Sequence, residues 1–390
     1  MLALLKYNLL SLWVRRTTTL ATTGGIALVV FVLGASQMLS TGMRQTISSA
    51  GNADQGIVLD KDAWTEATSR MDHAAAGLVA AAPGVKRDAQ GQAMVTEEAV
   101  AHLMLRSAID PTRISTLQVR GIGANVFALR PEVRIIEGRP IQPGTDEALV
   151  GKAVLGRYPG LRMGERVDFS FSTKPIVVGV FEAAGSIYES EIWADFETVR
   201  RSFSFLANVS SITAQLESAG DLDGFSAPLG ADQQVGLSVA SESAYYKKVS
   251  QGLPDVIGVL GIVETLIFSL GAVLGALITM HASVSQRSRE IGVLRALGFG
   301  RGHILFSFVV ESAALGFGGA LVGAALALLT TLIEFRCANF ATGQEVAFRF
   351  APSVTNLALA ILAGTAVGAI GGLVPAIRAA RVSPVEAMRA

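Results

Sequence analysis

Residues 26–33 read Ile26-Ala-Leu-Val-Val-Phe-Val-Leu33, and they lie inside a stretch between Arg16 and Arg44 that carries no charge. A bilayer core about 30 Å thick is crossed by about 20 apolar residues in a helix. Three further stretches qualify. One lies between Asp255 and Arg287 with a single charge at Glu264, one runs from Ile304 to Ile333 with a single charge at Glu311, and one lies between Arg349 and Arg378 with none. Four runs of this length and purity predict four membrane spans. The first follows Lys6, Arg15 and Arg16. Its apolar stretch exceeds the roughly 7–15 residues of a signal-peptide core, so an uncleaved first span is expected.

Composition agrees. The chain has 390 residues, of which 51% are hydrophobic and 16% charged, against about 25% charged in an average soluble domain. Lys plus Arg and Asp plus Glu are balanced at 32 each, and no nucleic-acid partner is expected. Cys337 is the single cysteine, which excludes a disulfide within the chain, and His73, His102, His281 and His303 are scattered. No Cys/His cluster has metal-ligand spacing, so no metal site is expected.

Orientation follows from Lys and Arg in short flanks. Lys6, Arg15 and Arg16 precede the first run. Arg287, Arg289, Arg295 and Arg301 join runs two and three, and Arg378, Arg381 and Arg389 follow the fourth. The short connection between runs three and four has only Arg336 and Arg349. Both termini are therefore expected in the cytoplasm, and the long segment after the first run outside it, across the inner membrane of a bacterium in the periplasm or cell exterior; these residues leave a eukaryotic organelle open as the alternative. The predicted class is an α-helical membrane protein with four transmembrane helices and a large α+β extracytoplasmic domain between helices 1 and 2. The expected order is a cytoplasmic N-terminal segment 1–17, a span 18–41, the outside domain with its stalk 42–252 and a span 253–282. A cytoplasmic loop 283–302, a span 303–333, a short outer loop 334–353, a span 354–377 and a cytoplasmic tail 378–390 follow.

In the outside segment, Trp64 to Ala82 has a helical pattern ended by Pro83-Gly84. Val167-Asp-Phe-Ser-Phe-Ser172 alternates as a half-buried strand does, and Ile176–Phe181 and Ser211–Leu216 are further strand candidates. Pro143-Gly144, Pro159-Gly160 and Ser218-Ala-Gly220 mark turns. Glu189, Glu191 and Asp195 are read as a solvated edge. Gly151-Lys152 does not complete a phosphate loop, and no Walker A motif occurs, so ATP hydrolysis by this polypeptide is not expected. Met43–Ala50 and Glu242–Val249 are expected to extend spans one and two beyond the membrane as a two-helix stalk.

The connection between runs two and three reads Ser285-Gln-Arg-Ser-Arg-Glu-Ile-Gly-Val-Leu-Arg-Ala-Leu-Gly298. Ile291, Leu294 and Leu297 share a stripe of a short helix, Arg289 and Arg295 lie away from it, and Gly298 suits its C-cap. Such a helix can lie on an anionic leaflet or enter a groove on a partner. Residues 289–298, Arg-Glu-Ile-Gly-Val-Leu-Arg-Ala-Leu-Gly, resemble the signature loop of the MacB/FtsX-type ABC transporter permeases. The ending from Pro375 to Arg389, Glu311-Ser with Gly318, Gly319 and Gly323, and Glu137-Gly-Arg-Pro-Ile, Glu147-Ala-Leu-Val-Gly151 and Gly164-Glu-Arg-Val are similar to that family too. The resemblance covers nearly the whole chain.

It implies a permease subunit working as a homo- or heterodimer with a separate cytoplasmic ABC ATPase, as in the lipoprotein-releasing, FtsX-like and DevC-like members. A periplasmic adaptor is a further candidate partner. It implies mechanotransmission, in which ATP-driven closure inside the cell moves the outside domain for export or envelope-substrate handling. ATP and Mg²⁺ would sit on the partner, with no cofactor on this chain. The 285–298 helix would be the coupling helix, with Ile291, Leu294 and Leu297 as anchors, Arg289, Glu290 and Arg295 setting register, and Gly298 ending it. A membrane scaffold regulating an envelope enzyme is the alternative. An enzyme lacks support, because neither G-x-S-x-G nor H-E-x-x-H occurs.

Charge inside a span is costly. Glu264 is expected to reach water near the outer end of its helix, and Glu311 to have a structural partner. Gly271/Gly275, Gly319/Gly323 and Gly364/Gly368 permit close helix packing, within the bundle or across a dimer.

Overall fold

The computed structural model describes residues 16–170, 172–203, 209–231, 236–249, 252–339 and 342–382. The N-terminal residues through Arg15 and the Ser383–Arg389 part of the C-terminal motif lie outside them. In chain order the elements are α1 (Arg16–Ser48), β1 (Gln55–Asp60), α2 (Ala74–Ala81), β2 (Val95–Arg106), β3 (Ile114–Ile122), α3 (Val126–Leu129), β4 (Arg134–Gly138), β5 (Glu147–Gly151), β6 (Ile176–Glu182), β7 (Glu191–Asp195), α4 (Phe196–Ser202), β8 (Ser211–Gln215), α5 (Leu222–Ala231) and β9 (Leu237–Ser241). They continue with α6 (Glu242–Val249), α7 (Leu253–Gln286), α8 (Ser288–Ala296), α9 (Arg301–Leu329), β10 (Glu334–Ala338), β11 (Glu345–Arg349) and α10 (Val354–Arg381). The chain divides into two units, one holding the long helices and the other residues 43–254 with 334–348.

In the first unit, α1, α7, α9 and α10 are each long and apolar enough to cross a membrane. Helices satisfy their backbone internally, which hydrocarbon demands. Small residues let them approach. A Cβ added at Gly323 would lie 2.3 Å from the Ala27 carbonyl oxygen on α1, and one at Gly368 would lie 2.7 Å from Gly316 Cα on α9. Gly319 meets α1, and Gly364 meets both α1 and α9. Gly271 and Gly275 differ: a Cβ at either finds open space within this chain. α7 leaves a broad apolar face uncovered, including Leu266, Ile267, Leu270 and Leu274.

The second unit is built on a nine-stranded mixed sheet in the order β4-β6-β5-β7-β3-β2-β8-β1-β9. The β3–β7 and β5–β6 pairs are parallel and the others antiparallel. One apolar core gathers Leu117, Val119, Val150, Val177 and Ile192, and a second gathers Val58, Val79, Ile212 and Phe225. Ile176–Glu182 and Ser211–Gln215 are strands.

Four expectations are corrected. Of Trp64–Ala82, only Ala74–Ala81 is helical. Val167 and Phe169 are buried in alternation, but among the described residues the segment forms no named strand, and an isolated Arg166–Ile176 bridge lies at its start. Its amides turn back on Pro175 and Thr173 instead. α6 does not continue into α7: it ends at Val249, Gly252 takes φ +99°, and Glu242, Tyr245 and Tyr246 are buried in the domain. α1 does run unbroken to Ser48.

The fourth correction concerns the short outer loop. β10 and β11 form a hairpin belonging to the second unit, with Val346 and Phe348 fully buried. Glu345 fastens it, accepting hydrogen bonds from the Ser115 hydroxyl, Tyr158 Oη at 2.9 Å and Arg113 Nη2 at 3.2 Å. Burial would raise this carboxyl, but the Ser115 and Tyr158 hydrogen bonds and the Arg113 and Arg336 charges outweigh it and hold it below the usual range.

Two predictions follow from this packing. Gly323→Ala should cost about 1–3 kcal/mol through overpacking, whereas Gly275→Ala should not destabilise; thermal unfolding of the solubilised chain compares them. Glu345→Gln should cost roughly 1.5–3 kcal/mol by weakening charge-assisted hydrogen bonds, read as faster amide exchange over 334–349. Because the folded carboxyl is depressed, this contribution is present above the ordinary Glu range and is lost as pH falls through the lowered value.

Candidate functional site

α8 is a nine-residue helix bounded by two breaks. Arg287 takes φ −109° and ψ 14°, which ends α7. Gly298 takes φ +97°, and the amides of Gly298 and Phe299 bond back to the carbonyls of Arg295 and Leu294 at 3.2 Å each. A residue with a side chain enters that conformation at a cost, which is why glycine serves there.

The helix has two faces. Ile291 is 2% exposed and packs with Met280, Val284, Ile304, Phe308, Ala376 and Ala379, with Leu294 half-buried beside it. These residues come from α7, α9 and α10, so this face is occupied by the chain's own bundle. On the other face Arg289, Glu290, Val293, Ala296, Leu297 and Gly298 are exposed, Leu297 at 73%. Ile291 and Leu297 therefore do not act from one face. The sequence stripe placed them together and left Val293 out. Positions 289, 293 and 297 recur every four residues, so one side of the helix carries them all.

Arg295 also faces inward. Its Nη1 donates to the carbonyls of Ala380 at 2.8 Å and Val382 at 3.3 Å. These lie at the C-terminal end of α10, where unpaired carbonyls and the helix dipole favour a cation.

Arg287 is the junction of the site. Its side chain is 7% exposed; Nε meets Glu290 Oε2 at 3.1 Å, Nη1 meets Glu311 Oε2 at 3.6 Å, and the guanidinium stands 5.8 Å from the Phe308 ring. Glu311 is 3% exposed. One arginine thus joins the end of α7, the first turn of α8 and the middle of α9. The cavity among Arg287, Glu290, Ile291, Leu294 and Ile304 is only about 10 Å³, scarcely room for one water. Among the described residues the site is packed, with no ligand volume.

Glu264 lies elsewhere. It is exposed on α7, eleven residues beyond the start of that helix, beside the exposed Leu260, Ile267 and Phe268. That is about 17 Å along the helix at 1.5 Å per residue, deeper than a position just inside its outer end.

A second constellation, which the sequence reading did not find, lies in the sheet unit. Arg120 on β3 and Arg130 at the end of α3 are both 0% exposed. Around them are Glu66, Glu98, Glu191 and Glu242, none more than 4% exposed. Arg120 Nη1 and Nη2 bond Glu66 at 2.8 and 3.1 Å, and its Nε and Nη2 bond Glu191 at 2.8 and 3.0 Å. Glu98 bridges the two guanidiniums, and Arg130 Nη2 reaches Glu242 at 3.0 Å. Tyr188 stacks under both arginines, 5.2 Å from Arg120 and 4.8 Å from Arg130.

The expected solvated edge is therefore corrected. Glu191 is an ion-pair partner inside the sheet. Glu189 is buried and accepts the amides of Ala183 and Gly185, and Asp195 caps α4 through the amides of Glu197 and Thr198. The missed signal was Arg120 itself, in the strand Leu117-Gln-Val-Arg-Gly-Ile122, whose flanking residues give neither face a solvated pattern. Among the described residues no three His, Cys, Asp or Glu side chains converge as metal ligands would.

Comparison with known proteins places the chain. Residues 17–231 match the MacB-like periplasmic core domain, and residues 262–384 match the FtsX-like permease C-terminal family. The uncharacterized ABC transporter permease YknZ of Bacillus subtilis is 29% identical over 226 residues, 55% of this chain and 53% of that protein. The macrolide export ATP-binding/permease protein MacB of Salmonella typhimurium is 28% identical over 228 residues, 55% of this chain and 33% of that protein. The chain thus aligns with about half or less of the length of these two. The uncharacterized ABC transporter permease YvrN of Bacillus subtilis is 24% identical over 395 residues, 94% of this chain and 93% of that protein. The crystal structure of the periplasmic region of MacB from Actinobacillus actinomycetemcomitans covers 51% of this chain and is itself covered to 94%, at 12% identity and a TM-score of 0.36. With the periplasmic-core match spanning more than half of the residues and the permease match taking in α8, α9 and α10, the chain belongs to the MacB/FtsX-type family of bacterial ABC transporter permeases.

Proposed function

We propose that the chain is the transmembrane subunit of an ABC transporter whose ATPase is a separate cytoplasmic protein, and that α8 is the helix on which this ATPase docks. The two-faced burial of α8 carries the reading. Its inner face, Ile291 with Leu294 and Arg295, is sealed to α7, α9 and α10, while its outer face presents Arg289, Val293 and Leu297. A helix held on one side and open on the other moves with the bundle when its open side is pushed. Arg287 joins that motion to α9 through Glu311. ATP and Mg²⁺ would be bound by the partner, and closure of the partner would be passed to the sheet domain for export or envelope-substrate handling.

The distribution of Arg and Lys in the short connections supports an inner-membrane protein with α8 and both termini in the cytoplasm. The uncovered face of α7, with Gly271 and Gly275 open and Glu264 among apolar neighbours, is proposed to meet a second permease copy. Close backbone approach at the glycines and a protein environment for the carboxyl would both favour that arrangement over lipid.

The assignment separates residues by role. Leu297→Asp, in the full chain co-expressed with its ATPase, should reduce ATPase association by roughly 30-fold or more, the loss of about 2 kcal/mol typical of an interface anchor. The protein should still insert, with unchanged thermal stability. Arg295→Ala should instead lower thermal stability by freeing the last carbonyls of α10. Normal ATPase binding and stimulation in both Val293→Asp and Leu297→Asp would remove α8 from the docking role.

A further inference from the structure

The buried cluster in the sheet unit does not balance its charge. Two guanidiniums, Arg120 and Arg130, face four carboxyls, Glu66, Glu98, Glu191 and Glu242, and all six are sequestered from water. Two negative charges in excess would be costly in such a medium, and a buried carboxyl that takes one proton halves the excess. The other titratable groups facing the cluster are Tyr188, Tyr245 and Tyr246, all buried and held neutral. Lys247 and Lys248 on α6 are exposed, and Lys248 Nζ stands 4.9 Å from the Trp64 ring.

The hydrogen bonds show which carboxylate its donors hold least closely. Glu191 has four donors on its two oxygens: Arg120 Nε and Nη2, Gln118 Nε2 and Trp193 Nε1. Glu66 is paired twice with Arg120 and also takes the Ser211 hydroxyl at 2.8 Å. Glu98 lies between both arginines. Glu242 is held most loosely, by Arg130 Nη2 at 3.0 Å and by Tyr188 Oη and the Asn52 amide at 3.3 Å each. Burial pushes both Glu191 and Glu242 above the usual carboxylate range; Arg120 opposes this at Glu191 and Arg130 at Glu242. Four donors favour the ionised form at Glu191, so the proton belongs on Glu242.

Glu242 opens α6, the last helix before the α7 span, and Tyr245 and Tyr246 on the same helix join the cluster through the Glu66 amide and carboxylate. Its contact with the Asn52 amide also reaches the segment that follows α1. The cluster therefore grips the chain where it enters the domain and where it leaves.

We propose that this cluster is a proton-loaded clasp that fixes α6 to the sheet, and that release of its proton to water loosens α6. A carboxyl whose folded form holds its proton more tightly contributes stability fully below the ordinary Glu range. That contribution is lost as pH rises through the raised folded value. External pH would then tune how firmly the outside domain is held where the chain leaves for α7.

Hydrogen–deuterium exchange of the full-length protein in lipid nanodiscs, from about pH 5.5 to about pH 8.5 and corrected for the intrinsic exchange rate, tests this. Protection of peptide 242–249 should fall at least tenfold as pH rises, while peptide 117–122 on β3 stays protected. Glu242→Gln, which mimics the protonated form, should keep 242–249 protected throughout. A wild-type profile at 242–249 that is flat, or one that falls together with 117–122, overturns the clasp, and so does a Glu242→Gln profile that falls with the wild-type slope. If Glu242→Gln does not fold, the two wild-type peptides decide by the same criteria.

Discussion

A positive charge inside a packed helix bundle has to be met by negative charge, and Arg287 is where this chain meets that requirement. Water is excluded from both Arg287 and Glu311, so neither can be left unpaired without a penalty of several kcal/mol. The pairing forces the end of α7, the start of α8 and the middle of α9 into one register. Once that register is set, Ile291 has only the pocket among α7, α9 and α10 to fill, and Arg295 falls against the open carbonyls of α10. The outer face of α8 is what remains. The geometry proposed for coupling is thus a consequence of neutralising one arginine.

The sheet unit solves a similar problem with more members. From β3 and the end of α3, Arg120 and Arg130 tie the segment after β1, the strands β2 and β7, and α6 through a carboxylate on each. Buried ion pairs add less to net stability than their number suggests, because desolvation offsets attraction. The β10–β11 hairpin is pinned by the same logic at Glu345. Both chain crossings and this returning hairpin are consequently fixed to the domain by polar contacts.

The four spans were legible because hydrocarbon tolerates so few side chains that length and absence of charge suffice. The mixed α+β character of the outside domain was legible from the short strand candidates Ile176–Phe181 and Ser211–Leu216, and the family from residues 289–298. What stayed hidden depends on neighbours distant in sequence. A stripe of Ile291, Leu294 and Leu297 shows that a helix is amphipathic, but not that α9 and α10 already occupy part of it. Glu189, Glu191 and Asp195 resemble a solvated edge until β3 brings Arg120 beside Glu191. Glu242–Val249 reads as a helical extension of the next span until Gly252, at φ +99°, breaks it. Gly271 and Gly275 match the Gly319 and Gly323 pattern, yet among the described residues an added Cβ would meet another helix at the second pair and nothing at the first.

The central claim is that α8 has an inner face bound to its own bundle and an outer face that receives the ATPase. Photo-crosslinking tests it most directly, with a reactive amino acid placed singly at positions 289, 291, 293 and 297 of the full chain in membranes containing its ATPase. The account predicts adducts with the ATPase from 289, 293 and 297, and none from 291. Adducts from 291 as abundant as those from 297, or none from 289, 293 and 297, would contradict it.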